Sequence, residues 1–315
     1  MDALENDLPV DDIPGLITAT HSEDPVPWKG QQSRSFTTND HTQFYVDHGG
    51  MLNLQSKRGC SFQCIYCPYP HIEGSKHRRV DAKIVAETAL NLQKQGAKYF
   101  FITDSAFNSD ISHSLQVAEA FRELGVTIPW GGFFAPIKLP TDYFTTLKAC
   151  GLSHVEFGTE SLSDTMLKNY QKPFRVKDVF AAHKQAVDAD IHVAHYFLLG
   201  GPGESEQTLA ETLDKVEELQ KTVHFFFTGM RIYPHTKLFE IAIEEGKIRE
   251  ETNLLEPLYY ESDTISPDDI ETQVTARAAE RINWVVGSGG ETAATIVSRM
   301  HKRGFSGPLW EFLIR

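Results

Sequence analysis

From residue 51 onward, a strand followed by a helix recurs about every 30 residues, the spacing that parallel strands with crossover helices require. Apolar runs predict strands at Met51–Ser56, Tyr99–Thr103, 126–134, His154–Gly158, His192–Leu199 and Val223–Ile232. Helical patterns fall between them at 81–96, 111–124, Pro140–Cys150, 162–170 with 175–188, Glu204–Lys221 and Thr236–Glu245. Asp81 is suited to cap the first helix, and Gly96, Gly125 and Gly151 are suited to stop the first three. Six such units predict an α/β chain folded as a partial (β/α)6 TIM-type barrel over residues 51–250. Residues 251–315 are expected to add a C-terminal helical cap, with helices near 267–286 and 290–303. Residues 1–50, rich in Asp, Pro, Thr, Ser and Gln, lack periodicity and are expected to form an irregular lead-in, with Leu4 to Leu16 as a docking linker.

The composition fits a globular enzyme: 41% hydrophobic and 23% charged residues allow a sizeable core. A net charge of −13 argues against nucleic acid as a partner, because phosphate backbones need a basic face. No apolar run is long enough for a membrane span, and the acidic start Met1-Asp2-Ala3-Leu4-Glu5 is not a secretory signal. A cytoplasmic location with reduced thiols is therefore expected.

Three of the four cysteines fall in one loop, Cys60-Ser-Phe-Gln-Cys64-Ile-Tyr-Cys67, directly after the first strand. Clustering of this kind suggests a metal site rather than disulfides. Three thiolates on short spacers can hold three irons of a [4Fe–4S] cluster and leave the fourth iron open. The rival is structural zinc, with His71 or His77 as fourth ligand. Zinc sites usually split their ligands between two knuckles, which favours the cluster here. Cys150 ends a helix among apolar neighbours and suits a packed small hydrophobe.

The loop, with Tyr66 just before its third cysteine, resembles the signature of the radical SAM superfamily. The segments Phe101-Ile-Thr-Asp104-Ser-Ala-Phe107-Asn108, Glu156-Phe-Gly-Thr-Glu160-Ser161, Leu199-Gly-Gly-Pro-Gly-Glu204 and Arg231-Ile-Tyr233-Pro234-His-Thr236 are similar to the radical SAM halves of enzymes, lipid-biosynthesis types among them, that follow a cobalamin-binding domain. The likeness spans about residues 51–260. Residues 1–50 leave no room for a cobalamin domain, so the expectation is either an enzyme that works without cobalamin or a piece of a longer protein.

The resemblance implies a [4Fe–4S] cluster on Cys60, Cys64 and Cys67 with S-adenosylmethionine (SAM) on its open iron, reduced by a one-electron donor such as flavodoxin or ferredoxin. Reductive cleavage of SAM to a 5′-deoxyadenosyl radical would then abstract hydrogen from a small-molecule or lipid substrate. The alternatives are a cobalamin-assisted methyltransferase fragment and a non-catalytic zinc module.

For SAM, the resemblance implies Tyr66 at the adenine, Asp104 and Ser105 at the amino group and Glu160 at the ribose hydroxyls. It also implies Gly200, Gly201 and Gly203 in close backbone approach and Arg231 at a carboxylate. Plainer readings stand beside each: an aromatic packing on the loop, helix caps, a helix-dipole charge, a tight turn and a salt bridge. The basic run Lys76-His77-Arg78-Arg79 is usually a solvated face, but Arg78 and Arg79 could meet an anionic head group. His192 and His195 flank the fifth strand; His195 is the better pocket candidate, though a satisfied core histidine is the commoner case. Phe225-Phe226-Phe227 reads as core before it reads as a substrate wall.

Overall fold

The computed structural model describes residues 40–279, 281–287 and 290–314, with scattered positions before residue 23. The chain divides into two units, Met1–Gln32 and Ser33–Arg315. In the first, Ile17 and Ser22 form an antiparallel bridge. The expected docking linker falls largely outside the described residues.

In the second unit, a helix at Asp40–Gly49 occupies what was expected to be irregular lead-in. The repeating units then follow: β1 Met51–Leu54, α1 Ala82–Lys94, β2 Tyr99–Ile102, α2 Ile111–Glu123, β3 Trp130–Phe134 and α3 Tyr143–Ala149. They continue with β4 Leu152–Glu160, α4 Asp164–Asn169, α5 Val176–Asp188, β5 His192–Leu199, α6 Glu206–Val216, β6 Thr222–Thr228 and α7 Lys237–Glu244. Local signals set many of these boundaries. Asp81 accepts from the backbone N–H groups of Lys83 and Ile84 to start α1, and Ser205 and Thr236 cap α6 and α7 in the same way.

The C-terminal expectation needs correction. The helix that begins at Pro267 ends at Ala278 (α8), and Trp284–Val286 forms a seventh strand, β7, parallel to β6. Trp284 packs its ring on Phe226 at 4.9 Å, which draws this short run into the sheet. A further helix, α9, spans Gly290–Lys302, and a 3-10 turn at Trp310–Leu313 follows. The sixth strand is also shorter than expected: Gly229, at φ +90, breaks it, and Met230–Arg231 pairs antiparallel with Tyr259–Tyr260.

The seven parallel strands lie side by side in sequence order, and β1 and β7 remain as edges among the described residues. The architecture is therefore an open partial barrel. Strand alternation divides its side chains between two faces. On the outer face, Phe100, Ile102, Phe134, Val155 and Phe157 pack against Val85, Val117, Phe121, Phe144 and Ala182 of the helices. The inner face is less covered: Phe133, one residue from the end of β3, is 40% exposed. Trp310 packs against Ala194 and Val223 and covers the inner face toward the N-terminal ends of the strands.

Candidate active site

The cysteine loop follows β1 at the C-terminal edge of the sheet, where ligands bind in folds of this type. Its backbone is pinned at several points. Cys60 N–H donates to Gly74 O at 3.1 Å, Ile65 N–H to Tyr170 O at 3.2 Å, and Leu238 N–H to Ile65 O at 2.8 Å. Gly59, at φ +85, is required here, since a side chain would run into Lys76 O. Burial pushes the Cys60 thiol up, and pushes that of Cys67 up to about 11. Thiolates in such a place need a cationic partner, which bound irons supply.

Among the described residues, no three His, Cys, Asp or Glu side chains converge on a point that one metal ion could fill. His77 is engaged instead with Ser109 and Asp110, and the His71 ring lies by that of His235. Three thiols on one loop, with short spacers between them, are the donor set that a [4Fe–4S] cluster takes.

Tyr66 extends from the loop to the end of β4, where its hydroxyl donates to Glu160 Oε1 at 2.6 Å. Lys172, buried just beyond α4, completes the group: its Nζ lies 3.1 Å from Tyr66 Oη and 3.2 Å from Glu160 Oε1. Burial opposes the charge on Lys172, but Glu160 and the thiols of Cys64 and Cys67 outweigh it, and its pKa is raised. Burial and the adjacent Glu160 carboxylate hold the Tyr66 phenol well above its ordinary range. Glu160 itself sits at φ +63, a left-handed conformation costly for a side chain of its size. Such strain, held next to the cysteine loop, marks a position whose side-chain direction is fixed. Lys172 belongs to none of the matching motifs, and no sequence signal singled it out.

Among the described residues, the buried polar atoms near this edge that have no hydrogen-bond partner include Ser105 Oγ, just after β2, Ser163 Oγ, after β4, and Arg231 Nε, just after β6. Buried groups of this kind are rare and suit a bound ligand. The Arg231 guanidinium also stacks on Tyr233, with Cζ 4.7 Å from the ring centre.

Other expected site residues are placed differently. Asp104, only 1% exposed, accepts at Oδ1 from the backbone N–H groups of Ser56 and Lys57, and at Oδ2 from Ser56 Oγ and Lys57 Nζ. Its acceptor positions are filled, so a SAM amino group finds none there. It locks β2 to the strand end after β1 instead. Gly201 N–H donates to Tyr170 Oη, and Gly200 N–H to Glu204 Oε2. A Cβ on Gly201 would lie 2.5 Å from the Tyr170 ring, so protein packing rather than an open cradle demands glycine there. Gly203, at φ +84, abuts Asn169 in the same turn.

His195 faces outward, buried between β5 and α5. Its Nδ1 meets Thr159 Oγ1 at 2.7 Å and its Nε2 meets His183 Nδ1 at 3.0 Å. Burial and the neighbouring His183 and His224 hold its pKa well below the usual range. It is a satisfied core histidine. Arg78 and Arg79 sit on a two-stranded ribbon with Lys57–Arg58, where they bind Glu73 O and Asp110 and so are not assembled as an anion pocket. A cleft of about 420 Å³ bordered by Glu217, Lys221 and Trp284 lies at the opposite end of β6 from the cysteine loop.

An open parallel barrel with a three-cysteine loop after its first strand, and a strained carboxylate facing that loop from its fourth, defines a class of enzyme built around a cluster and a nucleoside ligand. Residues 54–216 match the Radical SAM superfamily, and the chain belongs to it. It is 25% identical over 243 residues to tryptophan 2-C-methyltransferase of Streptomyces laurentii, covering 69% of this chain and 40% of that one. It is 27% identical over 216 residues to cytidylyl-2-hydroxyethylphosphonate methyltransferase of Streptomyces wedmorensis, covering 65% and 40%. The chain thus spans about 40% of the length of these curated relatives. Among solved structures, the fold is similar to that of TsrM, a radical SAM methyltransferase from Kitasatospora setae solved with tryptophan and a SAM analogue. The TM-score is 0.83 at 18% identity, over 99% of this chain and 72% of that one. TsrM has also been solved with cobalamin and a [4Fe–4S] cluster.

Proposed function

We propose that this chain is the SAM-binding and catalytic portion of a cobalamin-assisted radical SAM methyltransferase. The observation that carries the SAM site is the Tyr66–Glu160–Lys172 group beside the cysteine loop. The methyltransferase relatives and the TsrM fold favour methyl transfer over the hydrogen abstraction expected from the superfamily signature alone.

In this reading Cys60, Cys64 and Cys67 would hold a cluster with an open iron for SAM, and a flavodoxin- or ferredoxin-type donor would supply the electrons that keep cobalamin reduced. Glu160 accepts the ribose hydroxyls, its direction fixed by Tyr66. Lys172, with its charge maintained by Glu160 and the thiols, steadies both the carboxylate and the anionic sulfur environment of the loop. Ser105 Oγ and Arg231 Nε take the polar groups of SAM that approach from β2 and β6. The packed Gly200–Gly203 turn supports the site from behind Tyr170 and excludes water there. The substrate is a small molecule.

Anaerobic reconstitution with iron and sulfide, followed by hydroxocobalamin reduced to cob(I)alamin with titanium(III) citrate and by SAM labelled at its methyl group, tests this. The expected results are a brown protein that retains SAM and the appearance of label in cobalamin with S-adenosylhomocysteine. Formation of 5′-deoxyadenosine with no label in cobalamin would replace methyl transfer with hydrogen abstraction. A colourless protein that binds zinc and no SAM would overturn both.

A further inference from the structure

Glu160 keeps its unfavourable backbone conformation because the residues on either side of it are held. The Ser161 N–H donates to Thr159 O at 2.8 Å, which closes a γ-turn on Glu160 at φ +63. Positive-φ γ-turns are the rarer and more strained of the two hands. The turn coincides with a break in the sheet. Gly158 pairs with Tyr196 and Glu160 with the very next residue of β5, Phe197, so Thr159 is an extra residue in β4. A bulge of this kind bends the strand and re-aims a side chain beside it.

Both neighbours of Glu160 are anchored to the outer layer. Ser161 Oγ meets Thr212 Oγ1 of α6 at 2.9 Å and accepts from the Ser163 N–H at 3.0 Å. Thr159 is fully buried, and its Oγ1 meets His195 Nδ1 at 2.7 Å. The His195 ring has little room to shift. It stacks on Phe157 at 5.3 Å, lies 6.2 Å from the His224 ring, and meets His183 Nδ1 of α5 through Nε2 at 3.0 Å.

The remaining nitrogen of His183 faces the backbone carbonyl of Gln220, which can only accept. Burial keeps both rings neutral, with the pKa of His183 lowered to about 4 and that of His195 well below its usual range. A neutral imidazole carries a single N–H, so the bonds run in one sense. His183 donates to Gln220 O, His195 Nε2 donates to His183 Nδ1, and Thr159 Oγ1 donates to His195 Nδ1. The chain thus fixes the direction of the Thr159 hydroxyl as well as its place.

We propose that Thr159 and His195 are positioning residues for the SAM site: the Thr159–His195–His183 chain pins the bulge from the outer face and so holds Glu160 in the turn that aims its carboxylate at Tyr66 and the ligand. The positioning rests on the proposed function for what Glu160 holds, the ribose hydroxyls of SAM.

The test uses the protein reconstituted with iron and sulfide. Thr159→Val keeps the shape of the side chain and removes the hydroxyl, whereas Thr159→Ser keeps the hydroxyl. Thr159→Val and His195→Phe are each expected to weaken SAM binding about tenfold, the worth of one hydrogen bond, while Thr159→Ser stays within about twofold of the wild type. Iron content should not change. In a Glu160→Gln background, Thr159→Val should add less than about twofold, because the residue it acts through is already altered. Phe121→Leu, a destabilising change elsewhere in the outer-face core, should leave SAM binding as it was. Wild-type affinity in Thr159→Val, the full loss repeated in the Glu160→Gln background, or an equal loss in Phe121→Leu would each overturn the proposal. Crystal structures of the reconstituted wild type and Thr159→Val read the positioning without SAM. Glu160 is expected to leave positive φ and lose its bond to Tyr66 in the variant, and an unmoved Glu160 would also overturn the proposal. Failure of the wild-type protein to bind SAM would sink the proposed function instead, and the crystal structures would then decide the positioning by themselves.

Discussion

The Tyr66 hydroxyl donates to Glu160 Oε1 at 2.6 Å and so ties the cysteine loop to the end of the fourth strand, 94 residues away. Lys172 closes the group from a third segment. Loop geometry and ligand-facing carboxylate are thereby set by one another. Glu160→Gln or Lys172→Met should lower SAM affinity about ten- to hundredfold, the worth of a charge-assisted hydrogen bond. Iron content should not change. A binding isotherm with reconstituted variants checks this; full SAM affinity in both would show that the group is only structural.

Lys57 and Asp104 form a buried ion pair at 2.9 Å, and Lys57 Nζ also donates to Ala106 O and Phe107 O. Removing one partner strands the other charge in the core. Lys57→Met should cost about 3–5 kcal/mol of stability, read from anaerobic urea unfolding. The double variant Lys57→Met/Asp104→Leu should recover part of that loss, because no unpaired charge remains.

Gly201→Ala places a methyl group 2.5 Å from the Tyr170 ring, which is fully buried and cannot retreat. A destabilisation of about 1–3 kcal/mol is expected from such overpacking. An unchanged unfolding midpoint would show that the turn relaxes freely.

Burial raises the pKa of Glu156 to about 7, partly offset by its bonds to Trp310 and Tyr196. The unfolded chain releases that proton near pH 4.3, so between roughly pH 4.3 and 7 the folded state binds more protons than the unfolded one. Stability from this group is therefore fully present below that interval and falls as pH rises through it, by on the order of 3 kcal/mol at about 1.36 kcal/mol per pH unit. Glu156→Gln should flatten this part of the urea-unfolding profile measured from pH 5 to 8. Parallel profiles for the variant and the wild type would contradict the assignment.

Cys150 is buried behind α3 against Glu119, away from the loop. Cys150→Ala should retain full iron and sulfide, whereas Cys60→Ala, Cys64→Ala and Cys67→Ala should each lose most of both. Iron and acid-labile sulfide assays distinguish the cases.

Much of the fold is legible in the amino-acid sequence. Strand–helix periodicity, the Asp81 cap and the Gly96 stop depend on neighbours in the chain, and the structure places them where those signals fall. The seventh strand is not legible, because Trp284–Val286 is too short to carry a period and becomes a strand only by pairing with β6 and packing on Phe226. His195 shows the same limit in a side chain. Its residue type suggests a pocket, while its strand parity and the opposing His183 bury it.

The sequence by itself determined the parallel α/β architecture, the three clustered thiols and the superfamily, since each rests on local periodicity or on spacing within one loop. Only the tertiary structure decided which polar groups are spent and which are free. It gave Asp104 to Lys57 and Ser56, gave Gly201 to Tyr170, and brought Lys172 to Tyr66 and Glu160. The physical reason is that a buried polar group must find partners, and those partners come from segments far apart in the chain.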